Sequence, residues 1–353
     1  MKPQKVLVTG AAGFIGYHVS EALLNSGYEV VGLDNLSDYY DVKLKEARLS
    51  RLSDQDCFRF LKQDVSDQVE MDRLFRDEEF DSVIHLAAQA GVRHSLDHPF
   101  VYIDSNLKGF TTILEGCRHT EVDHLVFASS SSVYGANTRQ PFSEKHSVDH
   151  PVSLYGATKK ANEVMAHSYA RLFGVPTTGL RFFTVYGPWG RPDMALFRFA
   201  EGILQGRPID VYNHGDMFRD FTYISDVVEG IIRVLKQPAE PARTWSSEHP
   251  DPARSSEPFR VYNVGCGQPI KLTDFIDAIE DVLGIESKRN LLPMQPGDVK
   301  STFADTSGLE EAVGYRPQVS VEEGVRETLN WYLQFYHRDN SRVQVPVSIA
   351  SQL

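Results

Sequence analysis

Cysteine is scarce in this chain, with three in 353 residues, and Cys57, Cys117 and Cys266 stand far apart in no metal-ligand spacing. That excludes a disulfide framework and fits a reducing cytosol. Long apolar runs are missing too. No stretch approaches the roughly 20 apolar residues of a membrane span, and Met1-Lys2-Pro3-Gln4 leads into an apolar run too short for the core of a signal peptide. Positive charge is in deficit, 36 Lys and Arg against 48 Asp and Glu, for a net charge of −12. A nucleic-acid surface needs clustered Lys and Arg, so that partner class is excluded and only a local basic pocket stays open. The expectation is a soluble, cytoplasmic protein with neither nucleic acid nor membrane among its partners.

Hydrophobic residues make up 41% and charged residues 24%, the composition of an ordinary globular chain. The length suits one large α/β enzyme or two domains. Lys5 to Thr9, Tyr28 to Asp34, Phe58 to Gln63, Asp81 to Leu86, His124 to Ala128 and Thr178 to Phe183 read as buried strands of a parallel sheet. Phe14 to Asn25, Val69 to Phe75, Pro99 to Arg118 and Leu154 to Phe173 carry apolar residues at three- and four-residue spacing, as helices packed on a sheet must. The alternation predicts a doubly wound α/β domain over residues 1–187.

Beyond Tyr186-Gly187-Pro188 the pattern becomes irregular, with helices near Ala195 to Gln205 and Leu272 to Leu283. Residues 188–337 therefore read mainly as a smaller mixed α/β C-terminal lobe for substrate, with segments near 222–235 and 260–266 returning to the first domain. Residues 236–258 hold five prolines and no periodicity, which predicts a surface excursion or flexible loop. Residues 338–353 read as a loose tail.

The first chemical motif is Gly10-Ala11-Ala12-Gly13-Phe14-Ile15-Gly16, after a strand and at the start of a helix. Glycines there let the backbone turn tightly and approach a pyrophosphate, whose charge meets the free amides of a helix N-terminus. A glycine pattern alone is weak evidence, because packing glycines also open helices. It becomes strong here because the second strand ends at Asp34, about 20 residues on, where a carboxylate can accept from both ribose hydroxyls. The same carboxylate repels a 2′-phosphate, and Asn35-Leu36 supply no arginine in its place, so NAD is favoured over NADP. Asp64-Val65, ending the third strand, are expected beside the adenine, with a plain helix cap as the alternative for Asp64.

The second motif is Tyr155-Gly156-Ala157-Thr158-Lys159. Positions i and i+4 share a helix face, so the lysine ammonium is expected to lower the phenol's pKa from about 10 toward neutrality, aided by a positive nicotinamide. The tyrosinate then takes a proton from a sugar hydroxyl. Chance pairs at this spacing are common. This one gains weight from Ser129-Ser130-Ser131-Ser132 at the end of the fifth strand, since open α/β sheets place their sites at the carboxyl ends of strands.

With these motifs in place, the chain resembles the extended short-chain dehydrogenase/reductase family, a Rossmann-fold group, and within it the UDP-glucuronate 4-epimerases. The resemblance runs from Val6 to about Tyr332. It rests on Asp34-Asn35-Leu36 with Asp38-Tyr39-Tyr40-Asp41, on His85-Leu86-Ala87-Ala88-Gln89-Ala90-Gly91-Val92-Arg93, on Asn106-Leu107-Lys108-Gly109, and on the run from Arg181 through Thr184-Val185-Tyr186-Gly187-Pro188-Trp189-Gly190-Arg191 to Met194. Arg219-Asp220-Phe221-Thr222-Tyr223 and Gln295-Pro296-Gly297-Asp298 match further along. The resemblance implies Ser130, Tyr155 and Lys159 as the catalytic trio. It implies dinucleotide contacts from Leu86, Ala87, Ala88, Asn106 and Lys159, and UDP-sugar contacts from Arg93, Ser130, Ser131, Thr184, Arg191, Arg219 and Asp298. Arg191 meets the sugar and Arg219 the diphosphate. It also implies a homodimer, built on the helices Pro99 to Arg118 and Leu154 to Phe173.

The implied reaction is a reversible 4-epimerisation through a 4-keto sugar with transient reduction of NAD. For a uronate the keto sugar is a β-keto acid, so the carboxylate must be held against decarboxylation, and a bidentate arginine suits that task. Arg191 is the candidate. For Arg93 a structural salt bridge is at least as good an account. Family dehydratases and decarboxylases carry acidic residues just after the catalytic Ser or Thr, where this chain has Ser131 and Ser132. Two alternatives stay open: a 4-epimerase of a neutral UDP-hexose or its N-acetyl form, and a non-catalytic NAD-sensing protein. His94 and His98 have metal-like spacing but no third ligand, so no metal is expected.

Overall fold

The computed structural model describes residues 4–295 and 297–337, so the predicted tail 338–353 lies outside the described residues. The first half runs β1 (Lys5–Thr9), α1 (Phe14–Asn25), β2 (Glu29–Asp34), α2 (Val42–Ser53), β3 (Phe58–Lys62), α3 (Gln68–Glu78), β4 (Ser82–His85), α4 (His94–Asp97), α5 (Pro99–Tyr102), a π-helical stretch (Ile103–Lys108), α6 (Gly109–His119), β5 (His124–Ser130), α7 (Leu154–Phe173) and β6 (Thr177–Phe182). The second half adds β7 (Thr184–Tyr186), α8 (Ala195–Leu204), β8 (Ile209–Tyr212), β9 (Phe218–Tyr223), α9 (Ile224–Leu235), β10 (Phe259–Val264), β11 (Pro269–Lys271), α10 (Leu272–Leu283), β12 (Arg289–Leu292), α11 (Ser307–Val313) and α12 (Val321–Tyr336).

Seven parallel strands form the main sheet in the order β10-β6-β5-β4-β1-β2-β3. Val6, Leu7 and Val8 of β1 are wholly buried, as a central strand covered on both faces requires. One face packs Val8 and Val30 against Val19 and Leu23 of α1 and Ile231 and Val234 of α9. The other packs Leu7 and Val31 against Met71 and Phe75 of α3 and Ile113 and Leu114 of α6. The order reverses between β1 and β4, and ligand crevices of such sheets lie at the strands' carboxyl ends beside that switch point.

Two departures from the sequence pattern shape the site. Helix α2 buries Lys45 and Arg48 beside Leu44, Leu49 and Leu52, which interrupts its apolar pattern, and Arg48 donates to the Ala12, Trp189 and Gly190 carbonyls. The expected single helix from Pro99 to Arg118 is broken by the π stretch, whose widened turn frees the Asn106 carbonyl for the Asn162 amide at 2.7 Å.

The smaller lobe carries the sheets β11-β9-β7 and β12-β8. Its core centres on Phe221 stacked on Phe275, with Phe197, Ile276, Val325 and Leu329 around them. The chain then returns: α9 packs on α1, and β10 pairs with β6. Residues 236–258 pack as an irregular excursion over the outer edge of β10, where the Val261 amide donates to the Ala253 carbonyl and Ala239 and Ala242 are buried. An edge covered in this way presents no open backbone for pairing. Asp220 ties the lobe together, its buried carboxylate accepting from the amides of Cys266, Gly267 and Ala304 at 2.6 to 3.0 Å.

Candidate active site

At the switch point lies a cavity of about 850 Å3 lined from both lobes. Gly10, Gly13, Phe14, Ile15 and Gly16 form one end of it. Gly10 has φ +74°, and its carbonyl sits so close that a Cβ on Gly16 would lie 2.0 Å from it. No side chain caps the start of α1, so the first-turn amides remain available to an anion. Asp34 is buried at the end of β2 and lines the cavity, with one oxygen accepting from the Leu36 amide at 2.8 Å. Asn35 and Asp64 lie beside it, joined through Asn35 Nδ2 and Asp64 Oδ2 at 2.8 Å. Asp67, not Asp64, caps α3. Val65, Leu86, Ala87 and Ala88 complete this wall. A glycine cradle, free helix amides and a carboxylate at the second strand are what an adenine dinucleotide without a 2′-phosphate requires, so these residues fit NAD.

Ser130, Ser131, Tyr155 and Lys159 line the middle of the cavity. Strand alternation divides the serine run: the Ser129 hydroxyl points inward and donates to buried Glu163 at 2.6 Å, while Ser130 faces the cavity, its hydroxyl oxygen accepting from the Ser132 amide at 3.2 Å. Glu163 is itself gripped by buried Arg181 through Nε and Nη2 at 2.8 and 2.9 Å, which fixes the base of this wall. Tyr155 and Lys159 share a face of α7, but Lys159 Nζ donates to the Ala128 carbonyl at 3.0 Å. Burial pushes the Lys159 pKa down to about 8. The phenol of Tyr155 is raised above its usual value by burial, against the hydrogen bond from Ser130 and the charge of Arg191. Within the polypeptide alone, desolvation of the phenol outweighs the charge of Arg191, and the expected fall toward neutrality includes the positive nicotinamide as well.

Asn106 supports this wall. Its side chain is buried behind the wall, where Oδ1 accepts from the Gln89 amide and Nδ2 donates to Gln89 O and Thr158 Oγ1. It braces the 86–91 loop from behind.

Thr184 and Arg191 line the same cavity farther on. Arg191 is bidentate to Asp193, with Nε to Oδ1 at 3.0 Å and Nη2 to Oδ2 at 2.6 Å, and it lies over the Tyr39 ring. Arg219 and Asp298 stand where this cavity meets a second one of about 720 Å3. Arg93 faces only that second cavity, with its guanidinium 2.8 Å from Asp298 and over the Tyr212 ring. The salt-bridge account of Arg93 is the one this geometry matches. Sequence reasoning did not single out Tyr39, Asp193, Arg198 or Arg207. The first two sit inside strings that carry the resemblance, and the last two give no motif signal. No group of three or more His, Cys, Asp or Glu suited to a metal occurs among the described residues.

Fold and cavity together define a dinucleotide-binding α/β protein whose Ser, Tyr and Lys gather at the crevice between a nucleotide domain and a smaller lobe. More narrowly, the chain belongs to the NAD dependent epimerase/dehydratase family, matched over residues 6–265. It is similar to the probable UDP-glucuronate 4-epimerase of Rhizobium meliloti (strain 1021), 49% identical over 340 residues that cover 96% of this chain and 100% of that protein. Among solved structures it is similar to UDP-glucuronic acid 4-epimerase from Bacillus cereus in complex with UDP-glucuronic acid and NAD, at 34% identity and TM-score 0.82, covering 94% of this chain and 100% of that one. UDP-glucose 4-epimerase from Thermotoga maritima, solved with UDP-glucose, is similar at 29% identity and TM-score 0.81, covering 94% and 99%.

Proposed function

We propose that the protein is an NAD-dependent 4-epimerase that interconverts UDP-glucuronate and UDP-galacturonate. The observation that carries this is one continuous cavity joining the glycine cradle, the Ser130–Tyr155–Lys159 wall and a fork-bearing cation, Arg191, at the sugar end. The names of the Rhizobium and Bacillus relatives support the uronate. The neutral-hexose reading draws on the Thermotoga likeness, which in shape is nearly as good.

NAD, held by Gly10, Gly13, Gly16 and Asp34, supplies hydride acceptance and return when bound. Tyr155 takes the proton from the sugar's O4 and gives it back on the other face, and Ser130 shares a hydrogen bond with that oxygen. Lys159 anchors α7 against β5 and brings positive charge close to the phenol. Thr184 and Arg191 hold the C6 carboxylate, whose plane must be fixed while C4 is a ketone. The uridine diphosphate occupies the second cavity, with Arg219 as the shared cation at the junction. Asp298 pairs with Arg93 and closes that junction.

The protein acts as a homodimer. Phe100 is 80% exposed just before the π stretch, and Leu172 (67%) and Val164 (56%) are exposed on α7. Apolar side chains in such density on two neighbouring helices mark a face that a symmetry mate covers. No described helix is long and apolar enough to cross a membrane. The test is a substrate panel without added NAD: UDP-glucuronate and UDP-galacturonate are interconverted, and UDP-glucose and UDP-N-acetylglucosamine are left unchanged. Turnover of the neutral sugars alone would move the assignment to the hexose reading.

A further inference from the structure

A guanidinium offers a carboxylate two edges, Nε with Nη2 and Nη1 with Nη2. In Arg191 the first edge is taken by Asp193, at 3.0 and 2.6 Å, and the Nη1 edge lies outside that pair. The flat face of the guanidinium rests on Tyr39, with Cζ 5.4 Å from the ring centroid. Tyr39 is itself wedged: the His94 ring is 4.8 Å away, and a Cβ on Gly91 would lie 2.9 Å from the Tyr39 hydroxyl. Arg191, Asp193 and Tyr39 all line the substrate cavity. An arginine side chain otherwise loses considerable rotamer freedom when it binds. Here that freedom is removed beforehand, by one edge and one face, and the second edge is left for a planar anion.

We infer that Asp193 is a positioning residue for the uronate: it pins the side edge of Arg191 over Tyr39 so that the end edge meets the sugar carboxylate in a fixed plane. This deepens the uronate reading of Arg191 and rests on it. Asp193 does not hold the fold, because its side chain is 38% exposed on an irregular loop. It also neutralises Arg191 before substrate arrives, so the site selects an anion by geometry more than by raw charge.

The test is calorimetric titration of the NAD-loaded protein with UDP-glucuronate and, separately, with UDP. In Asp193→Asn the Kd for UDP-glucuronate rises about five- to tenfold through lost pre-organisation, while the Kd for UDP and the melting temperature stay unchanged. Asp193→Glu, which keeps the charge, recovers much of that affinity. Unchanged or tighter binding of UDP-glucuronate by Asp193→Asn would overturn the inference, because Asp193 would then be idle or a competitor for the fork. A parallel loss of UDP affinity would overturn it as well, by showing a merely structural role. Arg191→Ala in the same series separates the two levels. Full affinity in that variant sinks the uronate reading itself, whereas loss there with none in Asp193→Asn sinks only the role of Asp193.

Discussion

Arg191→Ala is the perturbation whose size follows most directly from the structure. It removes a guanidinium whose side chain is 19% exposed and which lines the cavity where the sugar is expected. A carboxylate held on one edge of it loses a charge-assisted contact worth about 2 to 3 kcal/mol, roughly thirty- to a hundredfold in affinity at 1.4 kcal/mol per decade. Part of the gross interaction is screened at a site that is not fully closed, so the two hydrogen bonds of a fork are not summed at full value. A second effect has the same sign: alanine leaves the Asp193 carboxylate unneutralised in the same cavity, and it repels the uronate. The Arg191→Ala/Asp193→Ala double variant therefore recovers part of the loss. Arg191→Lys recovers little, because a point charge does not hold a carboxylate's plane. The keto sugar, once its carboxylate is unconstrained, also loses CO2, so with NAD added in excess a UDP-4-keto-pentose and NADH accumulate together. The assay is KM for UDP-glucuronate together with chromatographic separation of products. A KM within twofold of the unmodified protein and no pentose would refute the reasoning.

Tyr155→Phe abolishes turnover while UDP-glucuronate still binds, since only the proton-transferring oxygen is lost; undiminished turnover would contradict the role of Tyr155. Gly16→Ala eliminates NAD binding or destabilises the cradle, because the new Cβ would meet the Gly10 carbonyl at 2.0 Å, and fluorescence titration with NAD reads the loss. Lys159→Met gives an inactive but more stable protein, with the sign set by proton binding. The folded Lys159 titrates near 8 and its ordinary value is 10.5, so between those pH values the unfolded chain binds more protons, and native stability rises with pH. The advantage of methionine is therefore fullest below pH 8, on the order of 3 kcal/mol, and fades toward pH 10.5. Denaturant melts of both proteins across that range test it, and parallel curves would count against it.

The nucleotide domain was legible because its signals are local. β1, α1, α7 and α10 occupy the segments read from periodicity, and the other strands of the first half differ by one or two residues at their ends. Gly10 to Gly16 and Asp34 are fixed by one turn and one strand, so their meeting at the crevice follows from the chain alone. What was not legible depends on contacts far apart in sequence. Helix α2 hid because it buries Lys45 and Arg48, and the partners of Arg48 at Ala12 and Trp189 lie 36 and 141 residues away. The π turn that sets the Asn106 side chain behind the wall depends on Asn162 and Thr158 of α7, far along the chain. The burial that raises the Tyr155 phenol is a property of the assembled cleft, which its helical spacing to Lys159 does not encode. The pairing of Arg191 with Asp193 depends on loop geometry that no periodicity encodes.

The central claim is that hydrogen leaves C4 of the sugar and returns to C4 of the same molecule. UDP-glucuronate deuterated at C4, incubated with the purified protein in ordinary water and followed by NMR, tests it directly. The account predicts UDP-galacturonate that retains deuterium at C4. Formation of that product with solvent hydrogen at C4, or no conversion at all, would contradict it.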